Sequence, residues 1–97
     1  MTRTATAPGR LATVDARDAV AAGRAEIDAL DAEIARLVAT RLAASRVVQA
    51  ARAMGGGSVV EPGREEVVLA SYAAALGPHG RDLGLAVLQV CRGPLPT

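Results

Sequence analysis

The stretch from Gly23 to Met54 constrains the fold more than any other part of the chain. Ile27, Leu30, Ile34, Leu37, Val38, Leu42 and Val48 recur along it at spacings of three, four and seven, with no proline between them. That pattern predicts one long amphipathic helix. Gly55, Gly56 and Gly57 follow it and predict its end, because glycine takes positive φ without a Cβ penalty. In a chain of 97 residues such a helix leaves too little sequence to wrap it on all sides, so an oligomer is expected. The apolar content is largely alanine, with no Phe or Trp and with Tyr72 as the one aromatic. Helices of this kind pack closely but bury little area per side chain, which again favours pairing with another subunit.

The rest of the chain reads as two shorter helices. Residues 1–15 mix Thr, Pro, Gly and Arg without periodicity and are expected to be a flexible N-terminal segment, with residues 16–97 forming one domain. Asp15 or Asp18 is expected to cap a helix beginning near Ala19 that runs into the long segment. Ser58, Val59 and Val60 read as an extended connector. Glu61-Pro62-Gly63 then opens a second helix, with proline in its first turn and Glu65 and Glu66 suited to its N-terminal dipole. Val67, Val68, Leu69, Tyr72 and Leu76 form its stripe, and Gly77-Pro78 breaks it. A third helix is expected from about Arg81, carrying Leu83, Leu85, Val87, Leu88 and Val90 as far as Arg92-Gly93-Pro94. Val59-Val60 is too short to build a sheet, so the fold class is all-α with three helices.

Charge and cysteine usage exclude several functions. The formal charge is +1, and the eleven basic residues are all arginine, interleaved with acids rather than gathered in a basic face. A nucleic-acid binder needs that face, so nucleic acid is not an expected partner. Cys91 is the one cysteine; it cannot form an internal disulfide, has no metal-ligand cluster near it, and reads as a small buried apolar residue. No segment has the apolar length of a signal peptide or a membrane span, so a cytoplasmic protein is expected. His79 sits in a polar turn without a sequence-local partner and reads as structural or solvent-exposed.

Three arginines of the long helix are the candidate chemistry. Arg24, Arg41 and Arg52 fall on or beside the apolar stripe, where a purely structural helix would not place them. Arg41 and Arg52 are 11 residues apart, close to three turns, and project from one face. Arg24 lies 17 residues before Arg41, on the order of 25 Å along a helix. If all three serve one site, Arg24 must come from a second, antiparallel subunit. Arg64, Glu65 and Glu61 add a cation and two acids at the start of the second helix, where free backbone N–H groups favour an anion. Several arginines backed by acids, without a catalytic histidine, suit a small dicarboxylate whose reaction depends on shape and electrostatics. From spacing alone, an ion-paired bundle surface is an equally good reading. Ser45 and Gln49 lie near the arginine face and could equally be solvated, and Tyr72 reads as core.

The run Arg24-Ala-Glu-Ile-Asp-Ala-Leu-Asp31, followed by Arg41, Arg52 and Glu61-Pro-Gly-Arg64-Glu65, resembles the all-helical chorismate mutases. Gly77-Pro78-His79-Gly80-Arg81-Asp82-Leu83 and the ending Cys91-Arg92-Gly93-Pro94-Leu95 look most like the short intracellular mutases of actinobacteria. The resemblance implies an intertwined homodimer with two equal active sites, each using an arginine of the partner's long helix, and no metal or cofactor. Arg24 matches that donated residue. By the same match Arg24 and Arg41 bind the carboxylates of chorismate, and Arg52 stands near the ether oxygen where many members have lysine. Glu65 holds the ring hydroxyl, while Arg64 and Glu61 border the site. Arg24, Arg41, Arg52 and Glu65 are thus the candidate catalytic residues.

Chorismate to prephenate is a unimolecular pericyclic rearrangement. The resemblance therefore implies a site that holds a dianion in its compact chair-like conformer and stabilises charge growing on the ether oxygen. Arginine suits this, because its planar fork binds carboxylate twice and stays charged. Many members also place a glutamine on the last helix, and Gln89 does not align to it securely. The actinobacterial relatives are often weak alone and efficient when docked on DAHP synthase, the first shikimate-pathway enzyme, which makes that enzyme a candidate partner. Gly93, Pro94 and Pro96 predict that the segment from Cys91 to Thr97 is not pre-formed. Two alternatives compete: a mutase or lyase acting on 4-amino-4-deoxychorismate or isochorismate, and a non-catalytic regulatory subunit of DAHP synthase. Glu65 favours a hydroxyl over an amine, and the intact arginine set argues against a dead site.

Overall fold

A computed structural model describes residues 8–57 and 61–93, and among them the chain is all-α, in the order α1 (Pro8–Met54), α2 (Pro62–Leu76) and α3 (Pro78–Arg92). The expected connector Ser58–Val60, the N-terminal residues 1–7 and the tail beyond Gly93 lie outside the described residues. The chain divides into two units, Met1–Ala35 and Arg36–Thr97.

In the first unit α1 begins at Pro8, well before the Ala19 expected from the sequence. Proline at the first helical position loses no hydrogen bond, and the alanine-rich run behind it supplies the propensity to continue. Asp15 and Asp18 are therefore interior helical residues and not caps. Val20, Ile27, Leu30 and Ile34 are each more than half exposed here, and Arg24 is exposed.

The second unit holds the end of α1 with α2 and α3. α1 closes where Gly55 N–H donates to the Ala51 and Arg52 carbonyls and Gly57 N–H to the Arg52 carbonyl at 2.7 Å, with Gly56 at φ 79°. Glu61, extended at φ −116°, precedes Pro62, and the Glu65 N–H donates to its carbonyl at 2.9 Å. Position 62 thus follows the expected proline-at-first-turn pattern.

α2 and α3 pack directly on each other. Gly77, at φ 81°, makes the reversal alone, and Pro78 starts α3 at once rather than prolonging the break to Arg81. Gly80 and Gly84, one turn apart, form the contact face of α3. A Cβ on Gly80 would overlap the Tyr72 carbonyl oxygen and come 2.8 Å from Leu76 Cβ; one on Gly84 would meet Tyr72 Cγ at 3.1 Å. Val68, Leu69, Val87, Leu88 and Cys91 are buried, with Tyr72 packed against them. Of the stripe expected on α3, Leu83, Leu85 and Val90 remain exposed, because the glycine pair sets which face meets α2.

Candidate active site

A pocket of about 280 Å³ opens in the second unit between the last turns of α1, the first turns of α2 and the end of α3. It is at the small end of ligand pockets, which run from roughly 300 Å³ upward. Its wall carries Arg41, Arg52, Glu61, Arg64 and Glu65, and so gathers five of the six residues singled out in the sequence. The sixth, Arg24, lies in the other unit, exposed on α1. Local structure explains the gathering. Arg41 and Arg52 share a face of one helix, and Glu61, Arg64 and Glu65, at the opening of α2, line the same pocket.

Four guanidiniums and two carboxylates line the pocket, since Arg92 joins Arg41, Arg52 and Arg64. Arg52 Nη2 stands 3.3 Å from Glu61 Oε1, an ion-pair distance without hydrogen-bond alignment. Arg52 Nε, like Nη2, is buried with no hydrogen-bond partner, and so is Arg92 Nε. Arg92 Nη1 donates to Glu65 Oε2. Buried donors without an acceptor cost about 1–3 kcal/mol each, more for charged groups, so the unbonded Arg52 N–H groups on the pocket wall favour an acceptor there.

Ser45 and Gln49, for which solvation was an equal expectation, line the pocket and are partly buried; Gln89 is exposed and is not on its wall. Val68, Leu88 and Cys91 form its apolar floor. Arg92 was quoted only as part of a terminal motif. The available signal was its position one turn beyond Leu88, on the buried face of α3. Cys91 and Arg92 are helical, and Arg92 is ion-paired, so the expectation of an unformed segment from Cys91 onward fails for these two residues. Residues 94–97, the remainder of that expectation apart from Gly93, lie outside the described residues.

Outside the pocket, Arg81 on α3 holds Glu66 on α2 through both oxygens, at 2.7 and 3.1 Å. Its hydrogen bond and charge keep the Glu66 carboxyl below the usual carboxylate range and push the Arg81 guanidinium up. His79 is exposed, 4.0 Å from Asp82. Among the described residues no group of His, Cys, Asp and Glu could hold a metal ion, and no helix is long and apolar enough to cross a membrane.

The profile of the family described as chorismate mutase type II matches residues 23–88. The chain belongs to that family. Its activity is accordingly the isomerisation of chorismate to prephenate. The chain is 39% identical over 83 residues to an intracellular chorismate mutase of Mycolicibacterium smegmatis, covering 86% of this chain and 80% of the relative. It is 43% identical over 72 residues to intracellular chorismate mutases of Mycobacterium bovis and Mycobacterium tuberculosis, covering 74% of this chain and 68% of each relative. No solved structure matches the chain at a significant level.

Proposed function

We propose that chorismate is rearranged in the Arg41–Arg52–Glu65 pocket of a cytoplasmic homodimer, by conformational restriction and electrostatics alone. The observation that carries this reading is the pair of buried Arg52 guanidinium nitrogens, Nε and Nη2, that donate no hydrogen bond, in a wall with two more cations than acids. That excess matches a dianion. Arg41 and the partner subunit's Arg24 would take the two carboxylates, with Arg64 and Glu61 at the border. Arg52 would donate to the ether oxygen, and Glu65 would accept from the ring hydroxyl. In the reaction one C–O bond breaks as one C–C bond forms, and no proton leaves. The site therefore needs donors aimed at growing charge rather than a base or a nucleophile.

The half-exposed Val20, Ile27, Leu30 and Ile34 support dimerisation, since a monomer would leave this apolar face in water. DAHP synthase is proposed as a further partner on the likeness to the actinobacterial mutases. Loss of chorismate absorbance with the purified protein, alone and with DAHP synthase of the same organism, tests both points. No turnover in either mixture would refute the site reading. Equal turnover in both would refute the partner.

A further inference from the structure

The Arg92–Glu65 pair differs from the other described ion pairs in burial and in place. Its side chains are 12% and 22% exposed, against 49% and 60% for Arg81 and Glu66, and 25% and 57% for Arg52 and Glu61. It joins the last residue of α3 to the first turn of α2, and both partners stand on the pocket wall. The family match ends at residue 88, short of Arg92. Gly93, at φ 72°, ends the helix immediately after it, so the backbone under Arg92 is fixed on its N-terminal side by α3. Leu88, one turn before, is buried, which anchors that turn.

A glutamate side chain in the first turn of a helix has several staggered rotamers open to it, so its carboxylate is not fixed by the backbone alone. Glu65 is held from one side only: among the described contacts, Arg92 Nη1 on Oε2 is its side-chain bond. Among the described contacts none takes Oε1, and Glu65 lines the pocket. Arg92 Nε, by contrast, is buried and carries no partner, and Glu65 is the group that its guanidinium reaches.

We propose that Arg92 is a positioning residue for the mutase reaction: by clamping Oε2 of Glu65 it aims the other carboxylate oxygen at the substrate. The inference rests on the proposed role of the pocket. A partly buried charge-assisted bond fixes its acceptor better than water does. Misplacing a reacting contact by about 1 Å costs on the order of 100-fold in rate. Arg92→Gln therefore lowers kcat by about 10- to 100-fold with little change in KM, and Arg92→Lys, which keeps a point charge without the fork, recovers part of the loss.

The alternative is a clasp that merely holds α2 to α3, and the exposed Glu66–Arg81 pair supplies the control for it. Steady-state kinetics on chorismate and thermal melts are to be measured for wild type, Arg92→Gln, Arg92→Lys, Arg81→Gln, Glu65→Gln and the Glu65→Gln/Arg92→Gln double variant, all as full-length dimers. The expected result is a kcat loss in Arg92→Gln at temperatures where it is fully folded, no such loss in Arg81→Gln, and a double variant no slower than Glu65→Gln alone. Unchanged kcat in folded Arg92→Gln overturns the proposal. So does additivity in the double variant, which would put Arg92 on the substrate itself. A wild type without turnover overturns the pocket reading and this inference with it, and is told apart by that first measurement. If Arg92→Gln does not fold, Arg92→Lys carries the same comparison, and wild-type kcat in it overturns the clamp.

Discussion

Gly80→Ala is expected to destabilise the protein by about 2 kcal/mol, whereas Gly84→Ala, one turn along the same face, is expected to be near neutral. The difference follows from what each new methyl would meet. At position 80 the obstacle is backbone: the Tyr72 carbonyl oxygen and carbon, with Leu76 Cβ at 2.8 Å. Backbone cannot rotate away, so α3 must lift off α2. Such overpacking costs about 1–3 kcal/mol and belongs at the upper end here. Alanine returns up to about 1 kcal/mol of helix propensity, which leaves the net figure. At position 84 the contacts are the Tyr72 ring at 3.1 Å and a Leu69 methyl at 3.2 Å, side-chain atoms that can give by a few tenths of an ångström. There, propensity offsets most of the cost. For a domain of this size 1 kcal/mol moves Tm by roughly 4–8 °C, so Gly80→Ala should melt on the order of 10 °C lower. Far-UV circular dichroism melts at one fixed protomer concentration are the assay, because the stability of the proposed dimer would depend on concentration. A Gly80→Ala protein melting within about 2 °C of wild type, or a larger loss in Gly84→Ala, would refute the close-packed glycine face.

If Arg52 serves the ether oxygen as proposed, Arg52→Ala should lower kcat by about 100-fold or more with a smaller rise in KM, since the charge there is larger in the transition state; a change confined to KM would move Arg52 to a carboxylate. Mixing inactive Arg24→Ala and Arg52→Ala proteins should restore part of the activity through mixed dimers with one intact site, and complete inactivity despite proven subunit exchange would sink the shared-site arrangement. Glu66→Gln should be less stable than wild type at neutral pH. Because Arg81 lowers the folded pKa of Glu66, that advantage is present above the unfolded value of about 4.3 and is lost as pH falls through the lowered one, so denaturation midpoints of the two proteins should converge in acid. A constant gap at all pH values would show that the pair acts through packing instead.

The body of α1 was legible because helical spacing of Ile27, Leu30, Ile34 and Leu37 is a local property. Its start was not. Asp15 and Asp18 carry a capping side chain whether or not the helix begins there, and only continuation of the alanine-rich run back to Pro8 tells an interior aspartate from a cap. α3 shows a different limit. Leu83, Leu85 and Val90 read as core by hydrophobicity, yet Gly80 and Gly84 decide the buried face by allowing backbone approach, and glycine scores as nothing in an apolar pattern. The candidate site divides along the same line. Arg41, Arg52, Glu61, Arg64 and Glu65 sit on elements consecutive in the chain, so spacing placed them near one another. Spacing alone fitted an ion-paired surface equally well, and the family resemblance was needed to read them as a site. Arg92 reaches Glu65 only through the α2–α3 packing, and no local spacing encodes that contact.

The two pocket acids acquire a common role from this arrangement. A wall with four guanidiniums and no acid would repel itself in the empty state, and its flexible side chains would swing into water. Glu61 stands opposite Arg52, and Glu65 is bonded by Arg92, so two of the cations are held in the pocket before any ligand arrives. Arg41 and Arg64 carry the excess charge. On the proposed reading an incoming dianion then meets donors already oriented, which is where electrostatic catalysis gains most, because no reorganisation is needed as charge shifts to the ether oxygen. On the proposed reading the acids also set a limit. Each must give up part of its hold on a cation to the substrate without leaving the pocket, and Glu65, bonded through one oxygen, can do so with the other. Loss of Glu61 should therefore be milder than loss of Glu65. Glu61→Gln would free Arg52 to bind substrate more loosely, whereas Glu65→Gln would remove both a ligand contact and the anchor of Arg92. Parallel kinetics on the two variants decide this, and a larger kcat loss in Glu61→Gln would invert the assigned roles.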